Sequence, residues 1–125
     1  MTQKKSYRIA QVNRLLKQEI ADVLLTELQD ERLHGLTVTE VRTSRDLKHA
    51  IVFITTHKKA DPKEMLDIAN RSGGLIRKIL YNRIRLRHIP ELNFQYDESL
   101  DRAESIFRTL QNLDLEYKEE NSEQE

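Results

Sequence analysis

Two stretches of this 125-residue chain gather cations with no acid among them. Residues 71–88 hold Arg71, Arg77, Lys78, Arg83, Arg85 and Arg87 and end on His88, and residues 1–17 hold Lys4, Lys5, Arg8, Arg14 and Lys17. Clustered cations suit the neutralisation of a polyanion such as a nucleic-acid backbone, although a run of charge is also what an ordinary solvated face looks like. Arg71 is followed by Ser72, Gly73 and Gly74. At about 100° per residue, Gly74, Arg77, Lys78, Tyr81 and Arg85 then share one face of a helix, with Ile76 and Ile79 opposite and Arg83 off the stripe. A helix starting at these glycines would set backbone amides beside a cationic stripe, an arrangement suited to phosphate. Glycine costs roughly 1 kcal/mol relative to alanine inside a helix, so two in succession after a serine terminate or sharply kink it. A tight turn between two core helices would use them equally well. Tyr81 on this face either packs against the body or stacks on a base.

Other chemistry finds little support. His34, His49, His57 and His88 are scattered without metal-ligand spacing, and acids such as Asp30–Glu31 and Asp97–Glu98 stand where caps and loops use acids. Without cysteine there is no disulfide framework, thiolate nucleophile or cysteine zinc site. The expectation is a protein that is not an enzyme and needs no cofactor and no metal. A nuclease using histidine and carboxylate, or a module that binds only other proteins, are the alternatives. Steep salt dependence would mark RNA binding against an apolar protein interface.

The 21 basic and 21 acidic residues cancel, but unevenly. Residues 114–125, DLEYKEENSEQE, set six acids against Lys118, which leaves residues 1–113 with a surplus of five positive charges. The expected organisation is one folded domain over 1–113 and an acidic tail over 114–125 with too little apolar content to order itself. No apolar run approaches the ~20 residues of a membrane span, and the start MTQKKSYRIA lacks the apolar core of a secretory signal. A cytoplasmic protein with no membrane partner is expected, acting as a monomer.

The elements that must position the cations can be read from periodicity. Ile9, Val12, Leu16, Ile20, Val23, Leu24 and Leu28 recur at helical spacing and predict a long amphipathic helix from Ser6 to about Leu28. Residues 36–44 and 47–57 are rich in β-branched residues and predict a hairpin turning on Arg45 and Asp46. Val38 and Val41 differ in parity, which a bulge would explain, and Ile51 through Ile54 predict a strand covered on both faces. Asp61, Pro62 and Glu64 form a capping-box pattern that starts a helix running to about Arg71. A second segment runs from Gly74 or Leu75 to about Arg83. Leu92, Phe94 and Tyr96 line one face of a third strand, residues 98–113 make a short closing helix, and no internal repeat is present.

This order predicts an α+β fold: a single KH-like domain of type II order, α-β-β-α-kink-α-β, in which a three-stranded sheet packs against helices. The Gly-x-x-Gly turn of such domains is absent, and Ser72-Gly73-Gly74 stands in its place. Three segments are more specific: RIAQVNRLLKQEIADVLLTELQDERL, TVTEVRTSRDLKHAIVFIT and RLRHIPELNFQYDESLDRAESI. Together, over about residues 6–110, they resemble the ribosome-binding factor A family, small bacterial assembly factors whose KH-like fold carries an Ala-x-Gly kink. Ser72 replaces the family's usual alanine, and the double glycine is a further local difference. The resemblance implies binding to the small ribosomal subunit and its ribosomal RNA late in maturation, support for processing of the RNA ends, a role in growth in the cold, and no catalysis. It leaves an assembly GTPase open as a further partner. From the charge pattern, the RNA-binding candidates are Arg71, Ser72, Gly73, Gly74, Arg77, Lys78, Arg85 and Arg87, assisted by Lys4, Lys5 and Arg8.

Overall fold

The computed structural model describes residues 2–56, 60–98 and 110–111. Helix α1 spans Thr2–Thr26. It starts four residues before the apolar stripe predicts, at residues the apolar spacing does not reach. Val12, Leu16, Ile20, Val23 and Leu24 form its buried side. Near its end Thr26 turns its hydroxyl back to the Asp22 carbonyl at 2.8 Å. A short 3-10 helix over Glu31–Gly35 follows, which periodicity did not predict; Asp30 caps it by accepting from the Arg32 amide, and Leu33 plugs it into the core. One buried residue in five leaves too little pattern to read.

Strands β1 (Thr37–Thr43) and β2 (His49–Thr55) pair antiparallel, β3 (Glu91–Tyr96) joins β2 in parallel, and the sheet order is β1-β2-β3. The bulge is present: the register shifts between Val38 and Glu40, so Val38 and Val41 both reach the core despite their parity. Between the strands, the two-residue turn is replaced by a loop from Ser44 to Lys48. Asp46 accepts from the Ser44 hydroxyl at 2.6 Å and the Lys48 amide at 3.0 Å, and Leu47 sits at φ 62°. A left-handed leucine costs about 1–2 kcal/mol, offset here by packing of its side chain against the core.

Ala50, Val52 and Ile54 of β2, with Leu92 and Phe94 of β3, face the helices and share one core with Leu16, Ile20, Ile76 and Leu80. The other face of β2 is covered unevenly. Phe53 is 7% exposed, with the Arg42 guanidinium 5.8 Å from its ring centroid, whereas Ile51 is only partly buried.

Helix α2 (Pro62–Arg71) begins as predicted, with Asp61 accepting from the Lys63 amide at 3.1 Å and Pro62 in the first turn. Glu64 does not complete a capping box; its carboxylate binds Arg32 at 3.0 Å. Helix α3 (Gly73–Arg83) follows after Ser72 alone. Ser72 keeps right-handed angles, φ −83° and ψ −4°, and its amide still reaches the Ile68 and Ala69 carbonyls. The glycines therefore do not terminate the helix for long, and none adopts positive φ. Gly73 is buried, and a Cβ there would stand 3.8 Å from the Leu92 carbonyl oxygen, an ordinary contact; at Gly74 a Cβ would meet nothing. Asn70 then docks the junction on the sheet, donating to the Phe94 carbonyl at 3.1 Å and accepting from its amide at 2.8 Å.

Apart from the added 3-10 helix, the order of helices and strands is the one expected of the KH-like α+β domain, and the parallel pairing of β3 with β2 completes its sheet. Of the closing helix predicted over 98–113, Leu110 and Gln111 are helical, and the rest beyond Glu98 lies outside the described residues, as does the tail over 114–125. Among the described residues, no helix is long and apolar enough to cross a membrane.

Candidate nucleic-acid interface

The site is built around the segment joining α3 to β3. Ile84, Ile89 and Pro90 are buried and Leu86 packs against the core, which leaves Arg85, Arg87 and His88 exposed. The segment is pinned from α3 by Arg77, whose Nη2 donates to the Ile89 carbonyl at 2.8 Å. Three depressions meet there. Arg77, Lys78, Tyr81, Arg87, His88 and Ile89 line one of about 340 Å³. Arg8 of α1 joins Arg87 and His88 over an apolar floor of Val12, Leu47, Leu86 and Pro90 in a second, about 220 Å³. Lys48 and His49 join Arg77 and His88 in a third, about 290 Å³, where Glu91 is the local acid.

Three of the predicted cations, Arg77, Lys78 and Arg87, thus converge, and Arg8 reaches them from the first helix. Lys78, Arg85, Arg87 and Arg8 form no ion pair among the described residues. Arg77 likewise forms no ion pair among the described residues; its hydrogen-bond partner is a carbonyl. Asp46 is the one acid lining the Arg8 depression. The Ser44 hydroxyl and the Lys48 amide hold its carboxyl below the usual carboxylate range, so it stays ionised and already hydrogen-bonded within its own loop.

Other candidates are placed differently. Arg71 is exposed but paired with Asp67 at 2.9 Å. Arg83, the residue off the helical stripe, bridges α3 to α1 through Glu19 at 3.1 Å and Asp22 at 2.5 Å. Arg85 is exposed yet lines none of the three depressions. Ser72 gives the first turn of α3 no side-chain cap, and that turn has no acid. Gly74 is exposed there while Gly73 is buried against β3. Lys4 and Lys5 stand on the first turns of α1, and their side chains lie outside the described residues.

Sequence reasoning missed Lys48, His49 and His88. Lys48 and His49 arrive with the hairpin loop, and nothing in their spacing ties them to residue 88. The four histidines look scattered along the chain, but His49 and His88 meet across one depression. A larger depression, about 520 Å³, lies on the sheet face away from the helices, lined by Arg42, His49, Ile51, Glu91, Asn93 and Gln95. Arg42 there is paired with Glu40 at 2.9 Å, and Glu91 sets a carboxylate 3.7 Å from the His49 ring, so it is poorly suited to a polyanion.

The comparisons agree with one another. The family model for ribosome-binding factor A matches residues 8–110. The ribosome-binding factor A of Thermomicrobium roseum is 37% identical over 118 residues, spanning 94% of this chain and 92% of the relative. A crystal structure of ribosome-binding factor A from Thermus thermophilus superposes with a TM-score of 0.64 at 28% identity, covering 70% of this chain and 93% of that one. A homology model of the Thermus thermophilus factor, fitted into the electron cryo-microscopy map of its complex with the 30S subunit, superposes at 0.57 with 28% identity, covering 69% and 91%. With a family model matched over most of its length and a relative 37% identical over nearly all of it, this chain belongs to the ribosome-binding factor A family.

Proposed function

We propose that this protein binds the small ribosomal subunit and its ribosomal RNA late in maturation and supports processing of the RNA ends, in the cytoplasm and as a monomer, without catalysing a reaction. One observation carries the reading: a member of this family presents Arg8, Arg77, Lys78 and Arg87 around the His88 segment, none of them in an ion pair among the described residues. Neutralising a string of phosphates needs cations that no internal carboxylate already occupies, and these are such cations. Phosphate contacts position the protein without reading sequence, which fits recognition of a folded RNA surface. The neighbour fitted into a 30S complex supports the choice of partner. Gly73 and Gly74, Ser72 and Arg71 stand at the far end of α3 as a secondary contact, and Lys4, Lys5 and Arg85 extend the basic surface.

A clamp of this kind favours one RNA arrangement over competitors only by its differential affinity for the two. Mispaired RNA escapes more slowly in the cold, so the benefit is greatest there, and an assembly GTPase would be one way to drive release. Co-sedimentation with separated small and large subunits across a salt series tests the binding. The expected result is small-subunit binding that falls steeply with salt. A deletion strain in the cold should accumulate small-subunit precursors with unprocessed ends; normal subunit ratios and mature ends would favour a protein-only interaction module instead.

A further inference from the structure

We infer that Tyr81 is a stacking platform for one unpaired RNA base, which makes the Arg77–Arg87 depression a single-strand site within the basic surface proposed above, on whose reading it rests. Tyr81 is 69% exposed on the outward face of α3, so it does not serve as core packing. It stands one helical turn from Arg77 and Lys78 on the same face and lines the same depression as Arg87 and His88. The apolar side of that helix is already filled by Ile76 and Leu80, both fully buried, so Tyr81 is surplus to the body's needs.

An exposed phenol that shares a depression with cations in no ion pair among the described residues has a specific use. The cations hold phosphates of any RNA, paired or not, whereas the ring gains contact only with a base whose π-face is open. Inside a duplex those faces are covered by neighbouring base pairs. Stacking therefore discriminates single strand, bulge or end from helix, and does so with little dependence on base identity. Within the depression Tyr81 is the group that can make this distinction by its ring face, apart from His88 across from it.

The test uses the full chain, Tyr81→Ala, Tyr81→Phe and the Lys78→Glu/Arg87→Glu pair, titrated onto a short unstructured RNA and a long, fully paired RNA duplex without a loop, with binding read by anisotropy over a salt series. Tyr81→Ala should weaken the single strand by roughly 5- to 100-fold, the range of one lost base stack, while leaving duplex affinity and the salt slope unchanged. Tyr81→Phe should bind as the parent does, and circular dichroism should show every variant folded. The charge pair should lose both RNAs. Equal loss on both RNAs, or no loss on the single strand, with the parent protein binding normally, overturns the stacking role and leaves the basic surface standing. A parent protein that binds neither RNA overturns both.

Discussion

The cations near the α3–β3 segment and the arginines elsewhere in the fold do opposite things. Arg83, with its side chain 29% exposed, is held by Glu19 and Asp22, Arg32 by Asp30 and Glu64, and Arg71 by Asp67. Arg8, Arg87 and Lys78 have no such partner among the described residues. Every arginine is a cation at neutral pH; the hydrogen bonds to Asp22 and Asp30, which raise the Arg83 and Arg32 guanidiniums further, tie these two to the fold. A count of basic residues treats both sets alike. What separates them is whether the fold places a carboxylate within reach.

The largest expected effect breaks the unpaired set. Lys78→Glu with Arg87→Glu should weaken RNA and small-subunit binding by on the order of 100-fold while leaving the circular dichroism spectrum unchanged, since two charge-assisted phosphate contacts are lost. Arg77 is the poorer choice, because its substitution also frees the Ile89 carbonyl and loosens the segment itself. The complementary change, Arg83→Gln, should leave RNA affinity where it was and lower the melting midpoint modestly, the pair being partly screened by solvent. Affinity lost in Arg83→Gln would place RNA on the α1–α3 seam and dissolve the contrast.

Asn70→Ala sharpens it from the structural side. It strips the edge of β3 of a side chain that satisfies both backbone groups of Phe94 and should cost about 1–3 kcal/mol in denaturant unfolding, with little effect on RNA. Gly74→Ala comes next. With nothing near the added methyl and no positive φ, the substitution should stabilise the protein by up to about 1 kcal/mol. Reduced RNA affinity in that more stable variant would show that the glycine serves close approach of a phosphate.

The smallest effect concerns acid. Asp46 is held below the usual carboxylate range by the Ser44 hydroxyl and then the Lys48 amide, so its contribution to the hairpin loop is complete above that range and fades as pH falls through the lowered value. The protection factor of the Lys48 amide, its exchange corrected for the intrinsic rate at each pH, should fall over that acid interval in the parent and be low throughout in Asp46→Ala.

How far these features were legible depends on how local they are. The α1 stripe, the Asp61 cap and the bulge near Val38 follow from spacing within a few residues. The hairpin turn was misjudged because Leu47 adopts a left-handed conformation that leucine seldom takes, stabilised by core contacts distant in sequence. Arg77 and Lys78 were recognisable from one helix face; Lys48 and His49 were not, since they reach His88 only through the parallel pairing of β2 with β3.

The chain by itself determined the order of elements, the segregation of charge and the family, because periodicity, capping and motif are written in near neighbours. Only the tertiary structure decided which cations remain available. An ion pair such as Arg83 with Asp22 joins residues 61 apart, and a few ångströms separate a guanidinium that ties two helices together from one that is free to meet a phosphate. Coulomb attraction is settled by that distance and by the water left between the charges, neither of which is a property of spacing along the chain.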